Sequence, residues 1–176
     1  MNSNIVEVFL HGTGRPVVIA AEADEVLRDF LARNDALPRD GEFVYVGESR
    51  QARDNPDLGE DEHLPADLDL TIVQLELPSK RHVHTHAMHS ICVTVEFNAQ
   101  TPTRRFSPNT TVDTVLVWAK RRLNIDPVAG ADLVLELVPS AEIPRMDEYL
   151  GDLLSAGQHE LKFKLVKEVN PQGACA

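Results

Sequence analysis

One order of elements occurs twice along this chain, and a repeat of that kind restricts the fold more than any single motif. In the first half, residues 5–11 and 17–20 read as strands joined by the glycine-bearing turn His11-Gly12-Thr13-Gly14-Arg15-Pro16. Asp24 offers a side-chain oxygen to the free amides of a helix that carries Val26, Leu27, Phe30 and Leu31, and residues 34–38 end it. Residues 43–46 read as a third strand and 50–61 as a polar loop. Residues 68–77 read as a long closing strand, because Leu68, Leu70 and Ile72 alternate with Asp67, Asp69 and Thr71. The second half repeats the order: a strand with Ile91, Val93, Val95 and Phe97, a short strand over 103–106, and a helical stripe of Val112, Val115, Leu116, Ala119 and Leu123. A strand with Leu133, Leu135 and Leu137 follows, then a turn-like segment over 146–154 and a closing strand over 161–166. Each half is about 80 residues long, near the lower end for an independent core.

Between the halves, apolar periodicity stops. Residues 80–89 hold His82, His84, His86 and His89, and they read as a linker between a first domain over 1–79 and a second over 90–169. Alternate histidines on an extended segment project to one side, as metal ligands do. A tetrahedral zinc site needs ligands held in orientation, which a linker supplies poorly, so the segment reads as a solvated, pH-sensitive connection with no metal and no cofactor.

Charge separates the halves. Residues 1–80 carry 17 acids and 7 bases, and residues 81–176 carry 11 acids and 10 bases. The first half therefore repels nucleic acid and anionic lipid. Arg104, Arg105, Lys120, Arg121, Arg122, Lys162 and Lys164 form a candidate basic strip in the second half, read as a solvated face of mixed charge, so neither nucleic acid nor membrane is an expected partner. Lys80 is the first lysine, which leaves residues 2–79 without a side-chain amine. No stretch approaches the roughly 20 apolar residues that span a bilayer. No charged segment followed by an apolar run opens the chain, and Cys92 and Cys175 are far apart, so a cytoplasmic protein with free thiols is expected.

Catalytic signatures are weak. Gly12-Thr13-Gly14 lacks a following Lys-Ser or Lys-Thr and leads into a strand, so it reads as a hairpin turn and not a phosphate loop. Neither cysteine has a histidine at predictable geometry. Trp118 lies near the helical stripe and reads as core or as an exposed anchor. The chain is therefore expected not to be an enzyme. Its last residues, Val169-Asn170-Pro171-Gln172-Gly173-Ala174-Cys175-Ala176, leave the closing strand as a tapering tail over 170–176 with little to bury.

Phe106-Ser107-Pro108-Asn109-Thr110-Thr111-Val112-Asp113-Thr114-Val115 resembles the strand-to-helix corner of ubiquitin, with Thr111 as the helix cap, and Met146-Asp147-Glu148-Tyr149-Leu150 resembles the turn before ubiquitin's last strand. With the element order, the resemblance implies an α+β chain of two tandem ubiquitin-like β-grasp domains, each a mixed sheet curled around one helix. Two such domains with one tail are similar to the BilA family of bacterial ubiquitin-like proteins from anti-phage conjugation operons. That resemblance implies a protein modifier, conjugated through a C-terminal glycine to a target protein, possibly a phage protein. Its implied partners are an E1-like activating enzyme, an E2-like conjugating enzyme and a JAB-type metallopeptidase. The glycine is Gly173, and processing falls between Gly173 and Ala174. The tail differs from that of ubiquitin: one glycine replaces a pair, Pro171 and Gln172 precede it, and three residues follow. The alternative is a tandem β-grasp adaptor that docks on other proteins without being conjugated, since the scaffold hosts many functions.

Overall fold

The computed structural model describes residues 4–12, 15–62 and 64–169. Its elements run β1 (Ile5–His11), β2 (Val17–Glu22), α1 (Leu27–Arg33), β3 (Phe43–Val46), α2 (Gln51–Asp54), α3 (Leu77–Lys80), β4 (His82–His86), β5 (Ile91–Glu96), β6 (Thr103–Phe106), α4 (Val112–Arg122), β7 (Leu133–Leu137), α5 (Leu150–Leu153) and β8 (Glu160–Lys167). The strands build two four-stranded sheets of one design, ordered β2-β1-β4-β3 and β6-β5-β8-β7. The central pairs β1/β4 and β5/β8 are parallel, and the outer pairs are antiparallel. A parallel pair needs a crossover, and α1 or α4 lies within it. The chain is thus α+β, two tandem β-grasp sheets, as the resemblance to ubiquitin implies.

The residues sort into two compact units: Met1–Ser49, Glu62–His89 and Ser107–Asn109 in one, Arg50–Asp61, Ser90–Phe106 and Thr110–Ala176 in the other. In the first unit, period-two burial sends Val6 and Val8 of β1 inward, where they meet Leu27, Phe30 and Leu31 of α1, Val44 of β3, Ile72, Leu77 and Val83. Helix α1 begins at Val26 without a side-chain cap, so Asp24 does not play the predicted role.

The first half departs from its sequence reading at two elements. Residues 68–76 form turns and Leu77 opens α3, so the predicted long strand over 68–77 does not form. Asp69 N donates to Asp67 Oδ1 at 2.9 Å, Thr71 N to Gln74 Oε1 at 2.9 Å and Gln74 N to Thr71 Oγ1 at 3.3 Å. These local side-chain bonds compete with a sheet ladder. The closing strand is β4, within the supposed linker. It pairs with β1 on one side and with β3 on the other, and Val83 is fully buried. A central strand should hold its amides far longer than a linker would. Hydrogen exchange at Val83–Thr85 is expected to show protection factors above about 10³, an opening cost of about 4 kcal/mol, and proteases are expected to spare 80–89. Unprotected amides there would place the strand wrongly.

In the second unit, Ile91, Val93 and Val95 of β5, Phe106 of β6, Leu135 of β7 and Leu161, Phe163 and Leu165 of β8 face inward against Val112, Val115, Trp118 and Ala119 of α4. The segment Arg50–Asp61, a polar loop by sequence, is part of this unit. Asp61 N donates to Arg105 O at 3.0 Å and Arg105 N to Gly59 O at 3.1 Å, which adds a short parallel bridge to the free edge of β6. Trp118 Nε1 donates to Pro56 O at 3.2 Å, and Arg121 Nη1 to Arg53 O at 2.6 Å. Arg104 is 1% exposed and leaves the supposed basic strip. Alternation along β6 points it inward with Phe106, and its guanidinium meets Asp61 Oδ1 at 2.8 Å and the carbonyls of Asn55 (3.2 Å) and Leu58.

Candidate functional site

The last strand sets the exit of the chain from the second unit. β8 alternates Leu161, Phe163 and Leu165, which are buried, with the exposed Lys162 and Lys164. It is paired on both edges, parallel to β5 and antiparallel to β7. Glu168 N donates to Asp132 O at 2.8 Å, one residue past the strand. The Lys167 ammonium lies 3.9 Å from Asp132, an exposed contact of little energetic weight. Val169 is 86% exposed. Gly173 and Ala174, the predicted conjugation and processing residues, lie outside the described residues.

The two segments that resemble ubiquitin meet each other. Val112 N donates to Glu148 O at 2.9 Å, Asp113 N to Met146 O at 3.0 Å and Leu150 N to Thr110 O at 2.9 Å. The corner before α4 is thereby pinned to the turn before β8. Thr111 is the helix cap, its hydroxyl accepting from Thr114 N at 3.4 Å. Arg53, from the segment that covers β6, donates Nε to Thr114 Oγ1 at 2.9 Å and forms an ion pair with Asp113 in the first turn of α4. Cys92 lies on the outer face of the sheet, in register with Arg105 and Glu160.

The histidines form a second constellation, in the first unit. His82, His84 and His86 follow one another on one face of β4, and His11 at the end of β1 is in parallel register with His84. His11 Nε2 and His82 Nδ1 are 2.9 Å apart, and the rings of His11 and His84 stack with centroids at 4.2 Å. Burial lowers the pKa of His11 to about 4, helped by the charges on His82 and His86. Burial lowers His86 to about 4 as well, against the field of Glu42. His84, fully buried, is pushed well below its ordinary value. His82 is lowered by burial, and Glu48 opposes that shift. At neutral pH these rings are uncharged. Sequence reasoning singled out the three strand histidines and missed His11, whose partner depends on the register of a parallel pair.

Residues 92–168 match the family described as BilA ubiquitin-like domain 2. No curated protein matches the chain. Among solved structures, the Arabidopsis thaliana protein At2g32350 is 15% identical, covers 51% of this chain and 99% of its own, and superposes with a TM-score of 0.37. Among the described residues no helix is long and apolar enough to cross a membrane. With two sheets of one β-grasp order, a ubiquitin-type corner pinned to a ubiquitin-type turn, and the family match over 92–168, the second half of the chain is a BilA-type ubiquitin-like domain.

Proposed function

We propose that this protein is a bacterial ubiquitin-like modifier, cytoplasmic and not itself an enzyme, that is trimmed after Gly173 and joined through it to a target protein in anti-phage defence. The family match over 92–168 is the observation that supports the reading, since a BilA-type domain ends two residues before the segment 170–176 that holds Gly173. The chemistry belongs to partner enzymes. A JAB-type peptidase hydrolyses the Gly173–Ala174 bond and releases Ala-Cys-Ala. An E1-like enzyme lets the Gly173 carboxylate attack the α-phosphate of ATP, which forms an acyl adenylate and releases pyrophosphate, and its cysteine thiolate then displaces AMP. An E2-like enzyme accepts the thioester and passes the acyl group to a target amine, which frees the thiol.

The share of this chain is presentation. β8 is held in the sheet by two neighbours, so the polypeptide leaves it at a fixed point near Asp132. From Val169 to Gly173 the chain can reach at most about 18 Å. Glycine suits the terminal position because a residue without Cβ lets the backbone enter a narrow activating site and be attacked there. Incubation with the cognate peptidase should lower the intact mass by Ala-Cys-Ala and no more. Gly173→Val should abolish thioester formation while circular dichroism and the thermal melt stay unchanged. Full conjugation of that variant would favour attachment elsewhere, and absence of any cleavage or adduct in the wild type would favour the adaptor reading.

A further inference from the structure

We propose that His11, His82 and His84 form a binding site for a divalent transition-metal ion, with Zn²⁺ as the occupant, that ties β1 to β4 at the centre of the first sheet. The three residues offer ligand nitrogens that all lie within 4.8 Å of one another. The sheet itself creates this convergence: His82 and His84 share a face at i and i+2, and parallel pairing sets His11 beside His84. A tetrahedral ion with metal–nitrogen bonds of about 2.0–2.1 Å needs ligand nitrogens roughly 3.3 Å apart. His11 and His82 lie within about 0.4 Å of that spacing at 2.9 Å, and modest rotation of the three rings about their side-chain torsions brings the set, now within 4.8 Å, to it.

The donor set chooses the class of ion. Three imidazoles without a thiolate suit borderline ions such as Zn²⁺, and three protein nitrogens leave a fourth position for water. Ligation requires neutral rings, and a site between two paired strands of the sheet favours the neutral form of each imidazole. The proton now shared between His11 Nε2 and His82 Nδ1 moves to the far nitrogen of its own ring on binding, so no net proton need be released. Glu48 places a negative charge in the field of His82, which favours a cation there. A flexible linker could not preorganise such a set, whereas two paired strands do. The bound ion would act as a clasp across the parallel pair, favouring the folded unit by mass action.

The test uses the full chain without an affinity tag. Equilibrium dialysis against Zn²⁺ should find one equivalent per chain, and a chelator should lower Tm back to that of the metal-free protein. His82→Gln and His11→Gln should each weaken Zn²⁺ binding by at least about 100-fold, since loss of a direct ligand exceeds the 10–100-fold cost of losing an outer-shell partner. His159→Gln should leave binding unchanged. Zinc-edge X-ray absorption on the wild-type protein should count three imidazoles, a readout that holds even where a variant fails to fold. Absence of stoichiometric binding, undiminished binding by His82→Gln in a folded variant, or fewer than three imidazoles at the bound ion would overturn the site.

Discussion

Replacing Asp61 by Asn is expected to destabilise the second unit by about 3–5 kcal/mol, the cost of removing one partner from a buried ion pair. Arg104 and Asp61 have side chains that are 1% and 0% exposed. Asn preserves the shape of Asp61 but leaves the guanidinium buried without its counter-charge, and two backbone carbonyls cannot replace a carboxylate. Thr110 Oγ1 also donates to Asp61 Oδ2 at 3.4 Å, so the substitution disturbs the corner before α4 as well. Urea unfolding followed by Trp118 fluorescence isolates the effect, because this single tryptophan is 2% exposed within the affected unit. The double variant Arg104→Met, Asp61→Leu should recover most of the loss, since an apolar pair of similar volume removes the desolvation cost of both ions. By contrast, Asp69→Asn breaks the exposed pair with Arg28, at 52% and 74% exposure, and should cost less than about 1 kcal/mol. If residues 50–61 were the solvated loop their polarity announces, Asp61→Asn would be equally silent.

That loop shows where sequence reasoning stops. The second half was legible almost residue by residue, because Ile91, Val93 and Val95, Leu133 and Leu135, and Leu161, Phe163 and Leu165 repeat at the strand period, and Thr111 stands where a helix cap is needed. In the first half, β4 carries histidines at the positions where an apolar alternation would announce a strand, so its sequence looks like a linker. The reverse error befell residues 68–77, where apolar alternation is present but Asp67, Thr71 and Gln74 turn the backbone aside. Arg104 resembles a surface base by composition, although its own alternation with Thr103 and Arg105 points it inward with Phe106. That signal was available; what was invisible was the counter-charge 43 residues earlier that makes the burial tolerable. For the predicted site, the sequence locates Gly173 and the strand before it, and the structure adds the anchor at Asp132.

Phe30→Ala is expected to cost about 3–5 kcal/mol, in the range for truncating a fully buried aromatic residue. The reason lies in how little else holds α1. The helix has 7 residues and no side-chain cap, and an isolated helix of that length is unstable in water. Its stability therefore comes from the face it buries, which is Leu27, Phe30 and Leu31 against Val6, Val8 and Val44. At the far end, Ala36 N donates back to Leu31 O at 2.9 Å and Asp35 adopts φ 53°, so the chain turns away and cannot lengthen the helix in compensation. Arg33 stands over the Phe30 ring at 5.1 Å and forms an ion pair with Glu25 at 2.6 Å. Its guanidinium holds the Glu25 carboxyl below the usual carboxylate range. The Arg33 side chain is 45% exposed although Glu25 is only 16% exposed, so solvent screens the guanidinium, and Arg33→Ala should cost only about 0.5–1 kcal/mol. α4 makes the comparison sharp, since it has 11 residues and a threonine cap and depends less on any one contact. Urea unfolding monitored by far-UV circular dichroism, with m-values checked for constancy, gives the two costs. A Phe30→Ala loss no larger than that of Arg33→Ala would mean that burial is not what forms α1.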